Sequence, residues 1–195
     1  MRIKKICVYC GSSPGTKPEY TSEAKRLGEL LSAKQIELIY GGSILGLMGT
    51  IANAVLASGG KVTGIMPRFL IKKEIVHTNL TRLIQVETMH ERKTQMADLA
   101  DAFVALPGGW GTMEEFFEVL TWGQLGLHSK PCGLLNICNY FDFLTAFLDH
   151  SVSERFLSKD NRNMIILNHD PVMLLDELES YQPPKSEKWL DRKLE

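Results

Sequence analysis

Short apolar runs alternate with helix-patterned segments along most of the chain, and that alternation constrains the fold more than any other feature. KKICVYC, IELIY, KVTGIM, RLIQVET, AFVAL and PCGLLNIC read as strands. PEYTSEAKRLGELLSAK, SILGLMGTIANAVLAS, MHERKTQMADLA, the segment from Thr112 and the segment around FDFLTAFLDHSV read as helices, and NMIILN and PVMLLDEL complete the pattern. Strands this short and this apolar are buried on both faces. A mostly parallel sheet with helices on both faces follows, an α/β, Rossmann-like, doubly wound architecture.

The 195 residues suit one domain over 1–180, with the polar, proline-broken YQPPKSEKWLDRKLE (181–195) as a surface extension. Apolar content of 44% and charged content of 23% are those of a soluble globular protein. A formal net charge of −1 gives no overall attraction to nucleic acid or to an anionic membrane. No apolar run approaches the ~20 residues that span a bilayer. The N-terminal MRIKKICVYCGSSPG reads as a first strand rather than a signal peptide.

Cys7 and Cys10 form a C-x-x-C, but inside a strand residues three apart face opposite sides of the sheet. Cys132 and Cys138 lack zinc-ligand spacing. All four read as buried structural thiols, which points to a reducing, cytoplasmic setting. The longest connection, PRFLIKKEIVHTNL (67–80), has the length of a lid or a subunit contact.

Ligands of open α/β sheets bind beyond the carboxyl ends of the strands. Two such ends are rich in glycine: IYGGSILGLMG, with Gly41 and Gly42, and LPGGWGT, with Gly108, Gly109 and Gly111. A third exit, YCGSSPG, carries Ser12. Bare backbone N–H groups at a helix N-terminus suit a phosphate. Neither loop has G-x-G-x-x-G spacing and no G-x-x-x-x-G-K-[ST] occurs, which disfavours a conventional dinucleotide or P-loop site. Tight strand-to-helix turns are the alternative use of these glycines.

Adjacent carboxylates follow the second loop. Thr112 and Glu115 fit a capping box, with Thr112 as N-cap. At ~100° per residue, Glu114 shares a polar stripe with Glu118 and Thr121, while Glu115 lies above Val119 and Trp122 at the edge of the apolar face. Glu115 is therefore the acid held near the interior. In MHERKTQMADLA, Arg92 and Lys93 fall inside the apolar arc of Met89, Met96, Leu99 and Ala100. Either their stems snorkel over apolar surface, or Arg92 aims its planar fork at an anionic substrate.

MHERK (89–93), PGGWGTMEE (107–115), the intervening ADAFVAL, the downstream LTWGQLGLHSKPCGLLN and GGSILGLMG together resemble the Lonely Guy (LOG) family over roughly residues 5–180. That family comprises phosphoribohydrolases that activate cytokinins, long labelled "lysine decarboxylase-like". The resemblance implies hydrolysis of the N-glycosidic bond of adenosine 5′-monophosphates, often modified at the exocyclic amine, to free base and ribose 5-phosphate. It places the catalytic pair on Arg92 and Glu115. It places substrate contacts on Lys93, on Gly109, Trp110, Gly111, Thr112, Met113 and Glu114, on Thr121, and on Glu74 in the long connection. Trp110 stands where the family often has another aromatic. The resemblance also implies a homodimer or higher oligomer with sites near subunit boundaries.

The chemistry suits these residues. A carboxylate stabilises an oxocarbenium-like state or activates water, a task for Glu115. Arg92 cannot donate a proton near neutral pH, because its pKa exceeds ~12. It holds and orients. No metal-ligand set is apparent and no cofactor is needed. Two readings compete: a pyridoxal phosphate decarboxylase, for which Lys93 is the one candidate Schiff-base lysine, and a non-catalytic carrier of a phosphorylated ligand.

Overall fold

The computed structural model describes residues 2–71 and 75–184. Seven strands form one sheet: β1 (Lys5–Tyr9), β2 (Glu37–Tyr40), β3 (Val62–Pro67), β4 (Arg82–Val86), β5 (Ala102–Ala105), β6 (Cys132–Leu135) and β7 (Ile165–Asn168). Their order is β4-β3-β2-β1-β5-β6-β7, and every strand pairing among the described residues is parallel. The chain starts at the centre, winds to one edge, then returns to pair β5 against β1, with Cys7 opposite Phe103 and Tyr9 opposite Ala105. That reversal opens a crevice at the carboxyl ends of β1 and β5.

The helices are α1 (Pro18–Ala33), α2 (Gly46–Ala57), α3 (Arg68–Ile71), α4 (Met89–Leu99), α5 (Trp110–Gln124), α6 (Asp142–Ser153), α7 (Lys159–Arg162) and α8 (Pro171–Ser180). Alternate strand residues feed two cores. Ile6, Val8, Leu38, Tyr40 and Val104 pack under Leu27, Leu31, Ile51, Val55 and Leu174 of α1, α2 and α8. Cys7, Tyr9, Ile39, Ile65 and Phe103 pack under Met96, Phe116, Val119 and Leu148 of α4, α5 and α6. Each fully buried large apolar side chain contributes about 1.5–3 kcal/mol over leaving it exposed. The doubly wound α/β architecture read from the sequence is the one observed.

Several boundaries differ from the sequence reading. Helix α5 begins at Trp110, two residues before Thr112, with Gly109 at the N-cap and no side-chain cap. Thr112 therefore caps nothing. The run expected to be strand through Cys138 ends at Leu135 and turns through a 3₁₀ segment, Ile137–Asn139, where Cys138 has φ 52°. Cys138 is exposed as a result, whereas Cys7, Cys10 and Cys132 are buried. Cys7 and Cys10 do serve opposite cores. No described helix is long and apolar enough to cross a membrane.

Candidate active site

Helix α4 owes its placement to a cap that the sequence carries in TMHE. The Thr88 hydroxyl accepts the Glu91 N–H at 3.1 Å, and the Glu91 carboxylate accepts the Glu87 N–H at 2.9 Å. Such reciprocal capping fixes where a helix starts, and is worth about 1 kcal/mol per cap. Starting there, the next two residues, Arg92 and Lys93, turn inward, and each is only 9% exposed.

Helix α5 starts in the crevice. Its first helical hydrogen bond runs from Met113 N–H to Gly109 carbonyl at 3.2 Å. The N–H groups of Trp110, Gly111 and Thr112 therefore have no helical acceptor, and all three residues line the cleft. An uncapped helix start with free N–H groups favours an anion.

Glu115 stands one turn into α5 and is 9% exposed. Arg92 Nη1 donates to Glu115 Oε1 at 2.7 Å, and Arg92 Nε donates to the carbonyl of Ile65 at 3.2 Å. The remaining face of the guanidinium lies against Gly41, where any Cβ would overlap it. Gly41 thus makes room for the arginine. Burial pushes the Glu115 carboxyl above the ordinary 4.5, and the Arg92 charge opposes that without cancelling it. A carboxylate whose proton affinity is raised in a dry pocket is suited to taking a proton from water.

The cleft holds about 450 Å³. Its lining combines the charged Arg92, Glu114 and Glu115 with an apolar wall of Leu45, Met48, Met66, Leu70, Ile75 and Met89. Leu70 and Ile75 come from the long connection, which straps onto the β2 exit. His77 N–H donates to Gly42 carbonyl at 2.9 Å and Ile44 N–H donates to Ile75 carbonyl at 3.0 Å. His77 Nδ1 accepts the Asn79 N–H at 3.2 Å, so Nε2 bears the proton and donates to Asn53 Oδ1 at 2.9 Å. Burial lowers the pKa of this imidazole and keeps it neutral.

Of the residues singled out in the sequence, Ser12, Gly41, Arg92, Gly109, Trp110, Gly111, Thr112, Glu114 and Glu115 line this one cleft. Gly108 lies behind it, in a neighbouring hollow with Gly11 and Tyr140. Gly42 holds the strap. Met113 is packed against the core. Thr121 is exposed on α5, its hydroxyl donating to the Phe117 carbonyl at 2.7 Å. Lys93 does not face the cleft; its ammonium donates to Glu114 at 2.5 Å and Glu118 at 2.9 Å. Glu74 lies outside the described residues.

The sequence reading missed Cys10 and the apolar wall. Met66 could have been found as the end of an apolar strand, but Met48, Leu70 and Ile75 carry no local signal. The loop IYGGSILGLMG is occupied by packing around its later glycines: Leu47 N–H donates to Gly11 carbonyl at 3.1 Å, and Gly46, at φ 55°, lies so close to Ser12 that a Cβ would strike its backbone. Lys93, the lysine considered for a Schiff base, is taken up by Glu114 and Glu118 and does not line the cleft. No cluster of metal-ligating side chains is found among the described residues.

A family model described as "possible lysine decarboxylase" matches residues 48–178. A probable cytokinin riboside 5′-monophosphate phosphoribohydrolase of Oryza sativa subsp. japonica is 46% identical over 182 residues, covering 93% of this chain and 80% of the relative. A cytokinin riboside 5′-monophosphate phosphoribohydrolase of Arabidopsis thaliana is 47% identical over 182 residues, covering 93% and 85%. Among solved structures, a molybdenum cofactor binding protein of Rippkaea orientalis superposes with a TM-score of 0.70 at 22% identity, over 92% of this chain and 98% of that one. A molybdenum cofactor carrier protein of Chlamydomonas reinhardtii does so with a TM-score of 0.68 at 18% identity, over 92% and 100%. The structural likeness concerns the fold, whereas the family match and the 46–47% identities over 93% of the chain show the family: the chain belongs to the Lonely Guy (LOG) family.

Proposed function

We propose that this protein hydrolyses the N-glycosidic bond of adenosine 5′-monophosphates, including those modified at the exocyclic amine, to give free base and ribose 5-phosphate. The observation that carries this reading is the Arg92–Glu115 pair, buried at the cleft floor directly behind the uncapped start of α5. The curated relatives at 46–47% identity bear names that denote this reaction.

The 5′-phosphate rests on the N–H groups of Gly111 and Thr112, with Ser12 opposite. Binding energy from that remote group positions the ribose. Glu115 faces the anomeric carbon. As the C1′–N bond breaks, its electron pair leaves with the base, and positive charge builds on the ribose. One water is consumed: its oxygen bonds to C1′, Glu115 takes its proton, and the base picks up a proton from solvent. Arg92 holds the carboxylate in place and attracts anionic substrate, and it never gives up its own proton. The apolar wall of Met48, Met66, Leu70 and Ile75 receives the base and any apolar substituent on it.

The reaction needs neither metal nor organic cofactor. The protein acts in the cytoplasm, in keeping with its three buried free thiols, and works as a homodimer or larger homo-oligomer on a small nucleotide. Exposed Ile44, Leu45, Phe69 and Trp110 around the cleft mouth support assembly there.

Incubating the purified protein separately with AMP and isopentenyladenosine monophosphate, and resolving products by chromatography, tests the proposal. Free base with ribose 5-phosphate from wild type, and none from Glu115→Ala, supports it and ranks the substrates. Nucleotide that binds but stays intact overturns it in favour of a carrier, the role named for the solved structures that share the fold.

A further inference from the structure

Helices α4 and α5 meet beside the cleft through two rungs of charge. The inner rung is Arg92 on Glu115. The outer rung is the Lys93 ammonium, held by Glu114 at 2.5 Å and by Glu118 at 2.9 Å. Lys93 keeps only 10% of its side chain exposed and Glu118 25%, against 57% for Glu114. The two helix backbones do not pack closely against each other. Long charged side chains make the bridge at this end.

A buried ammonium is costly unless well paired, so the site strongly favours the helix placement that satisfies it. On α4, positions 92 and 93 point ~100° apart; on α5, so do 114 and 115, while 118 stands one turn beyond 114. The observed rotation and height of α4 on α5 let residue 93 reach both 114 and 118. At that placement residue 92 meets residue 115.

We infer that Lys93 and Glu118 are positioning residues, which hold the Arg92 guanidinium on Glu115 without touching the substrate. The inference rests on the hydrolase reading for its catalytic consequence, but its structural claim stands apart from it. Glu118 is the deeper anchor, because Glu114 lies at the cleft wall and is more than half exposed. Lys93 has a second effect there: it offsets the Glu114 charge where a phosphate must enter.

The groups that face Glu115 are Arg92 and Lys93 from α4, Glu114 from its own helix, Cys7 and Tyr9 from β1, and Cys10 just past that strand. This gives the test an informative sign. Removing the negative Glu118 by itself lowers the proton affinity of a neighbouring carboxyl. Loosening Arg92 from Glu115 raises it.

The experiment compares full-length wild type with Glu118→Ala, Glu118→Gln and Lys93→Met. Carbon-13 NMR follows the Glu115 titration in unliganded protein, and nitrogen-15 NMR follows exchange of the Arg92 Nε–H. Steady-state assays with AMP give kcat and KM. In Glu118→Ala the Glu115 titration moves up, Arg92 Nε–H exchange quickens, and kcat falls roughly tenfold or more, since ~1 Å of misplacement can cost 100-fold. KM changes by less than about threefold, as befits an interaction that acts through another group. Glu118→Gln keeps an acceptor for Lys93 and recovers most of the loss. If Glu118→Ala does not fold, Lys93→Met decides through the Arg92 Nε–H exchange rate. A folded Glu118→Ala or Lys93→Met with unchanged Arg92 exchange and unchanged Glu115 titration overturns the inference. Wild type without base release sinks the hydrolase reading instead, and leaves both NMR results standing.

Discussion

The Arg92 guanidinium donates to the Glu115 carboxylate at 2.7 Å, with both side chains only 11% exposed. A pair so enclosed costs desolvation on both sides and adds little net stability, yet breaking it strands a charge. Glu115→Ala therefore destabilises the fold by roughly 3–5 kcal/mol, the range for an orphaned buried partner. Glu115→Gln keeps shape and an acceptor, and unfolds closer to wild type in urea. Both lose base release, by about 10²–10³ or more if one preorganised contact sets the scale. Activity lost equally in a Gln variant of near-native stability separates chemistry from folding.

The pH profile carries a definite sign. The Glu115 carboxyl is raised above 4.5, chiefly by burial and despite Arg92. The acid limb of kcat/KM should therefore fall at a higher pH than for an ordinary glutamate, because Glu115 must be ionised to accept a proton. Between 4.5 and the raised value the folded state binds more protons than the unfolded one. Stability from this group is present below 4.5 and is lost as pH rises through that window. A kcat/KM profile flat down to pH 4.5 would remove Glu115 from the role of base.

Gly41→Ala tests the steric claim. The new Cβ would displace the Arg92 guanidinium, which is fixed on its other sides by Glu115 and the Ile65 carbonyl. Base release should drop by roughly 100-fold, the order of loss for a small misplacement near the reacting centre. Urea unfolding of the same variant shows whether it remains folded. Gly59→Ala, remote from the cleft and strained by its φ of 77° although nothing lies within 4 Å, should lose stability without losing base release, and so separates backbone strain from displacement of Arg92.

His77 is neutral, and burial keeps its pKa below 6.5. The unfolded chain binds the proton more readily, so the contribution of His77 is present above pH 6.5 and is lost as pH falls through its folded value. Protonation puts a hydrogen on Nδ1, which now accepts the Asn79 N–H. The difference in melting temperature between wild type and His77→Gln should shrink from pH 7.5 to pH 5. A constant difference rules out the lowered pKa of His77.

Thiol chemistry checks the fold directly. Cys138 is exposed, and the other three cysteines are buried with their pKa values raised by burial, Cys132 to about 12. A disulfide reagent at pH 8 should titrate one thiol quickly in native protein and four after denaturation. Rapid reaction of a second thiol contradicts the burial of Cys10 at the cleft edge.

Much of this site was legible in the chain. The apolar runs predict the parallel sheet, and helical spacing turns Glu115 inward and Glu114 outward. Arg92 and Lys93 stand out because charge inside an apolar arc needs a partner. The capping box expected at Thr112–Glu115 is not formed; the structure caps α4 instead, with Thr88 accepting the Glu91 N–H and Glu91 accepting the Glu87 N–H. Both segments satisfy the pattern, and only the start of α5 at Trp110 shows which is used.

The sequence by itself determined the alternation, the burial pattern and the residue types that chemistry requires, since these depend on spacing along one element. The tertiary structure alone decided that Lys93 turns to Glu118 rather than to the cleft, that Gly41 exists to admit a guanidinium, and that Leu70 and Ile75 wall the cleft. Those choices depend on how α4, α5 and the strap meet across the end of the sheet. Contacts between distant segments leave no periodic trace in either partner, so nothing local in the chain records them.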